Sequence, residues 1–135
     1  MNILCINIRE LPFDFEIINF NLLIEIDGAQ HFRQVRNWKS HKITQQRDVY
    51  KMKQAIKHNY SVIRISQEDI WHDRYNWQSE IIKYIKRYNI PQPIYLSKNK
   101  DLYNRHKQLI SFSYTLNISI KNEFIINIIS KYLFN

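Results

Sequence analysis

Glycine is nearly missing from this sequence: Gly28 is the single one in 135 residues. A Gly-rich loop that cradles phosphate through its backbone is therefore excluded. Cysteine is equally scarce. Cys5 alone excludes an internal disulfide and a cysteine-rich zinc site, which fits a reducing, intracellular compartment. No apolar run reaches the length of a membrane span, so no membrane partner is expected. The stretch from Met1 to Ile8 is apolar but too short, and uncharged at its start, for a signal peptide; a cytoplasmic, nucleoid or nuclear location is expected rather than secretion. Acidic residues are outnumbered, 12 against 20 lysines and arginines, which leaves a charge of +8. Such a balance favours polyanionic partners, although solubility alone also accounts for it. There are no internal repeats and no Ser-His-Asp spacing.

What is present is organised around the run from Leu22 to Phe32. Side chains alternate along a strand. Leu22, Ile24 and Ile26 thus share one face, and Leu23, Glu25 and Asp27 the other. Two carboxylates on so apolar a strand are costly unless something positive meets them. Gly28 then permits a sharp bend or a positive φ, with Gln30 and His31 in reach of the strand end. The preceding segment, residues 11–18, also alternates: Phe13, Phe15 and Ile17 on one face, Asp14, Glu16 and Ile18 on the other. Asn19-Phe20-Asn21 is a polar break, so the two segments read as a β-hairpin. A loop at Asn19-Phe20 pairs Asp14 with Glu25, and a loop at Phe20-Asn21 pairs Asp14 with Asp27. A shift by one residue would bury acids among phenylalanines. Either register brings carboxylates to roughly 5 Å across the strands. A divalent cation would relieve their repulsion; a half-buried hairpin with a solvated acidic face is the simpler alternative.

The run from Phe13-Asp14-Phe15 through Ile24-Glu25-Ile26-Asp27-Gly28-Ala29-Gln30-His31-Phe32 resembles the PD-(D/E)XK nuclease superfamily, in the branch similar to very-short-patch-repair endonucleases. The likeness continues through Gln46-Arg47-Asp48-Val49-Tyr50-Lys51 to Tyr60–Ile65 and covers roughly residues 11 to 71. It implies an α/β, restriction-endonuclease-like fold, with a central mixed β-sheet flanked by helices. It also implies a metal-dependent endonuclease that hydrolyses phosphodiester bonds, with duplex DNA as partner. Asp14 and Glu25 are the implied ligands of Mg²⁺ (or Mn²⁺), with the backbone carbonyl of Ile26 as a further one and Asp27 as a candidate. The family's lysine falls at Asp27, a departure from the named motif. His31 or Lys51 is left to move a proton or stabilise the leaving oxygen, and Gln30 to orient water or phosphate. His31 follows the acidic strand directly, whereas Lys51 must reach in from a helix, so His31 is the expected replacement. Two alternatives are an inactive nucleic-acid-binding module of the same fold and an RNA-directed nuclease.

Residues 33–42 have no apolar period. Arg33, Arg36, Lys39 and Lys42 are expected to touch phosphate, with Trp38 anchoring the loop to the core or packing on a base. Residues 43–58 read as a helix with Val49, Met52 and Ile56 at helical spacing. Asp48 and Lys51, one turn apart, either form a surface ion pair worth ~0.3–0.5 kcal/mol or leave Lys51 near the scissile phosphate in place of the motif lysine; Lys53 points outward to the DNA backbone. Tyr60–Ile65 is a β-rich strand. Its Arg64 either supports the active-site face or pairs with Glu68 or Asp69. Ser66-Gln67-Glu68-Asp69 reads as a helix start, and residues 75–88 as a helix buried through Trp77, Ile81, Tyr84, Ile85 and Tyr88. Residues 2–9 read as an edge strand or a short helix. Residues 1–96 are taken as the nuclease-like domain. Residues 97–135 form an extension packed on it, basic at Lys98, Lys100, Arg105 and Lys107, that grips DNA or joins a homodimer. Weak alternation over 111–120 and a helical pattern over 124–134 complete the chain.

Overall fold

The computed structural model describes residues 2–4, 10–38, 40–111, 126–127 and 130. Its frame is a four-stranded mixed sheet in the order β3-β4-β5-β6. Strand β3 (Phe15–Ile17) is antiparallel to β4 (Leu22–Asp27), which runs parallel to β5 (Ser61–Ser66), itself parallel to β6 (Pro93–Leu96). Parallel neighbours need crossovers. Helix α1 (His41–Lys57) links β4 to β5, while α2 (Gln67–Trp71) and α3 (Trp77–Tyr84) link β5 to β6. Two short strands, β1 (Asn2–Leu4) and β2 (Glu10–Pro12), pair with each other outside this sheet. Residues 104–111 form a further helix, α4.

Both faces of the sheet are covered, so β5 is buried along its whole length. On one face Leu23 and Val62 pack under Val49, Met52 and Ala55 of α1, joined by Phe13 and by Ile110 of α4. On the other, Leu22, Ile24, Ile63, Ile65, Ile94 and Leu96 meet Trp77, Ile81 and Tyr84 of α3, with Ile85 and Tyr88 beyond its end. Helix α3 is shorter than its apolar pattern at both ends: Tyr75 and Asn76 before it have left-handed backbone, φ 68° and 45°, which a right-handed helix cannot include, and Ile85 after it is extended. Helix α1 starts at Ser40, whose Oγ accepts from the Lys42 N–H at 3.3 Å.

The register Phe15↔Ile24 and Ile17↔Leu22, extended by one residue, sets Asp14 opposite Glu25. The intervening turn is a 3₁₀ turn, Ile18–Phe20, closed by Asn21 at φ 48°. With one glycine in the chain, such left-handed corners fall to other residues: Asn21, Asn59 and Asn76, the type that tolerates them best after glycine, and also Arg36, Asp73 and Tyr75. Gly28 itself has φ −77°, so the expected positive φ is not used. A Cβ there would fall 2.5 Å from Gln30 Oε1 and 2.9 Å from Gln67 Oε1, so the glycine makes room for two glutamine side chains. The expected single face for Phe13, Phe15 and Ile17 is broken as well. The chain bends at Asp14, and Phe13 joins the α1 side while Ile17 packs on the α3 side. Lys39, residues 5–9, the alternation from 112 onward and most of the 124–134 pattern lie outside the described residues.

Candidate functional site

The α1-facing side of β4 and β5 changes character along its length. Leu23 and Val62 are apolar, and beyond them come Glu25, Arg64 and Asp27, with Glu25 and Arg64 as register partners. Two polar groups form there. The first sits where β3 meets β4. The Asp14 carboxylate is exposed and accepts the Ile26 N–H at 2.7 Å through Oδ2, while Oδ1 takes no bond from another described residue. Glu25 is buried and forms an ion pair with the Lys51 ammonium, which α1 brings over the sheet edge. That ammonium also lies 4.5 Å from the centre of the Phe13 ring. Burial pushes the Glu25 carboxyl above its ordinary range; Lys51 works against this, and the neighbouring Asp14 charge adds to it.

The second group is buried around Arg64, which is fully enclosed. Its Nε and Nη2 donate to Asp27 Oδ2 and Oδ1 at 2.8 and 2.7 Å, a two-pronged pair. Nη2 also lies 3.0 Å from Asp48 Oδ1. Asp27 Oδ2 accepts a further bond from the Tyr103 hydroxyl at 2.9 Å. Asp48 Oδ2 meets two imidazoles, Nδ1 of His31 at 2.7 Å and Nε2 of His106 at 2.9 Å. Burial alone would raise the Asp48 carboxyl, but the bonds from His106 and His31 and the Arg64 charge outweigh it and hold it far below the usual carboxylate range. His31 is held above the usual imidazole range: burial opposes its charge, and the Asp48 bond with the Asp27 and Asp48 charges more than compensates. The turn that carries His31, Ala29–His31, is pinned to α1 because Gln45 Nε2 donates to the His31 carbonyl at 3.0 Å.

Several expectations are corrected here. Asp48 and Lys51 do not pair on the surface. Asp48 shares the sheet-facing side of α1 with Gln45, Met52 and Ala55, whereas Lys51 turns to Glu25. Lys51, not His31, is the cation at the Asp14–Glu25 pair. Asp27 is not with Asp14 and Glu25; both its oxygens are taken by Arg64 and Tyr103. Arg64 pairs with neither Glu68 nor Asp69. Those acids have other partners: exposed Glu68 lies 4.0 Å from Arg33 and 3.6 Å from Arg74, and buried Asp69 accepts the Lys98 N–H at 2.9 Å. Trp38 does not anchor its loop, since its side chain is 62% exposed. Ile26 meets Asp14 through its N–H, and Gln30 folds back over Gly28. Of the phosphate-contact candidates, Arg33, Arg36 and Lys42 are exposed and Lys53 is half-buried. Tyr103 and His106 were missed, although Tyr103, His106 and Ile110 recur at the i, i+3, i+7 spacing of a buried helix face.

Which residues could hold a metal follows from these partners. Asp27, His31 and Asp48 offer ligand atoms within 4.8 Å of one another. A divalent ion there would sit against the Arg64 guanidinium, whose single positive charge is already shared by both carboxylates and would repel it. Asp14 and Glu25 are a second set of hard oxygen donors of the kind magnesium takes, adjacent across two strands, where burial keeps the Glu25 carboxyl raised in spite of Lys51.

The described residues thus define an α/β protein with a mixed, open four-stranded sheet and an acid–lysine group at the junction of its antiparallel pair. Among the described residues no helix is long and apolar enough to cross a membrane. No protein-family model, curated protein or solved structure matches the chain.

Proposed function

We propose that this chain is a metal-dependent nuclease of the restriction-endonuclease-like kind, hydrolysing phosphodiester bonds in DNA. The observation that carries the reading is the meeting of Asp14, Glu25 and Lys51. One acid comes from the bend before β3, one from β4, and the cation reaches over from α1. In the named motif a lysine follows the acid along the same strand; here Asp27 occupies that place and Lys51 supplies the ammonium from the helix. Asp14 and Glu25 would hold Mg²⁺ or Mn²⁺ through carboxylate oxygens. When bound, the ion stabilises charge on the attacked phosphate and makes a water more acidic. Asp14 is kept in place by the Ile26 amide. Lys51 offsets the Glu25 charge and is set to hold a phosphate oxygen or the incoming water. His31, tied at Nδ1 to Asp48, turns its Nε2 edge away from the buried carboxylates and can hold or deliver a proton there. Exposed Arg33, Arg36 and Lys42 add positive charge for the backbone of the nucleic acid.

A second reading is a binding module without catalysis. It is favoured by Asp27, which stands in the lysine's place and is locked by Arg64. Purified protein incubated with duplex DNA, single-stranded DNA and RNA, in Mg²⁺, Mn²⁺ or EDTA, separates the readings. Cleavage of duplex DNA that vanishes in EDTA is the expected result. Salt-sensitive binding without cleavage of any substrate in either metal would select the module, and cleavage confined to RNA would move the substrate class.

A further inference from the structure

We propose that α4, which lies outside the segment resembling nucleases, is a working part of the site: His106 is a positioning residue that sets the hydrogen bonding of His31 through the shared Asp48 oxygen. The inference deepens the nuclease reading and rests on it for the role of His31.

A carboxylate oxygen can only accept, so both imidazoles that meet Asp48 Oδ2 must donate to it. His31 therefore carries its proton on Nδ1, and His106 carries one on Nε2. The two rings hold opposite tautomers on one oxygen. His106 is fully buried and its Nδ1 has no hydrogen-bond partner among the described residues. The bond from its Nε2–H to Asp48 Oδ2 is what fixes its ring. His106 is thus a fixed N–H donor. It takes a share of Asp48 Oδ2 that His31 would otherwise have alone, and so limits how tightly that oxygen grips the His31 ring.

A second set of contacts ties α4 to the same turn. Phe32, next to His31, packs edge-on against Tyr103 with centroids 5.1 Å apart and lies 5.8 Å from His106. Tyr103 and His106 are themselves in T-shaped contact at 5.4 Å. Tyr103 holds Asp27 while His106 holds Asp48. One helix thereby braces both carboxylates that flank His31, together with the aromatic residue that follows it.

Nitrogen-resolved NMR of the histidine rings in the full chain tests this without requiring activity. The expected result is an Nδ1–H tautomer for neutral His31 and an Nε2–H tautomer for His106 at the same pH. His106→Leu should move the hydrogen-bonded Nδ1–H proton of His31 downfield, and His106→Gln, which keeps an N–H donor, should return it toward the wild-type position. In the cleavage assay His106→Leu should lower kcat by about 10–100-fold, as loss of an orienting partner does, with KM little changed and Gln restoring most of the rate. An Nε2–H tautomer on His31 overturns the proposal. So does a folded His106→Leu protein whose His31 signals do not move. If His106→Leu fails to fold, the wild-type tautomers and the Gln variant still decide. If the wild-type protein cleaves nothing, the nuclease reading fails, while the tautomers still report on the His31–Asp48–His106 arrangement.

Discussion

Glu25 and Asp27 lie two residues apart on one face of one strand, and they end in opposite circumstances. Asp27 is met by a guanidinium on both oxygens and by a tyrosine hydroxyl. Glu25 is met by one flexible ammonium and by a second acid across the strand. The difference arises from the neighbouring elements rather than from β4. Arg64 leans toward the strand end, where α1 and α4 close over it, whereas Glu25 faces the bend at Asp14, where the sheet edge opens. Burial without full compensation marks a group able to change partner; burial with complete compensation marks one that holds the fold.

The sharpest way to break this comparison is to neutralise each acid in turn. Asp14→Asn and Glu25→Gln should each lower DNA cleavage by about 10³-fold, since several kcal/mol of charge stabilisation depend on the metal they would hold. Their melting temperatures should stay close to wild type. Asp27→Asn should instead lower the melting temperature first. Equal loss of cleavage in Asp27→Asn, at unchanged thermal stability, would place Asp27 with the reactive group after all.

Removing the cations gives the next largest contrast. Arg64→Met leaves two buried carboxylates without their partner and should cost about 3–5 kcal/mol in urea unfolding. Lys51→Met should cost less than about 1.5 kcal/mol, because Glu25, already raised, can take up a proton. A larger loss for Lys51→Met would reverse the roles assigned to the two groups.

The pH dependence of stability separates the groups more gently. The Asp48 carboxyl is lowered in the folded state, so its contribution is present above the ordinary value near 4 and is lost as pH falls. His31 is raised, so its contribution is complete below about 6.5 and is lost as pH rises through the folded value. The stability difference between wild type and Asp48→Asn should therefore be widest between about pH 4 and 6.5 and narrow on either side. Taking the difference cancels the Glu25 contribution, which has the opposite slope on the acid side. A difference that is flat from pH 4 to 9 would show that His31 is not coupled to Asp48.

The smallest effect is expected at the hinge between the strand and His31. Gly28→Ala should change stability by less than about 1 kcal/mol, because φ is negative and the new Cβ meets only the ends of two glutamine side chains. A large loss there would mean that Gln30 and Gln67 are held more rigidly than their positions imply.

The alternation of residues 22–27 and the β-rich composition of 60–65 marked two strands by themselves, and the apolar spacing of 43–58 marked a helix between them; the observed elements differ by a residue or two at their ends. The hairpin was readable too, but two registers kept Asp14 beside an acid of β4, and only the folded chain selects the one with Phe15 opposite Ile24. Tertiary structure alone decided which acids are partnered. Asp48 and Lys51 look like a surface pair at helical spacing, yet they part because Asp48 meets an arginine of the sheet and two histidines from the turn after β4 and from α4, while Lys51 meets a glutamate of β4. Gly28 looked like a conformational requirement and proved to be a matter of space. Tyr103 and His106 lie 76 and 58 residues from the carboxylates they hold. Local sequence carries the strand and helix periods, because those repeat over a few residues. It does not carry the pairing of buried charges, which depends on elements that only the folded chain brings within 3 Å.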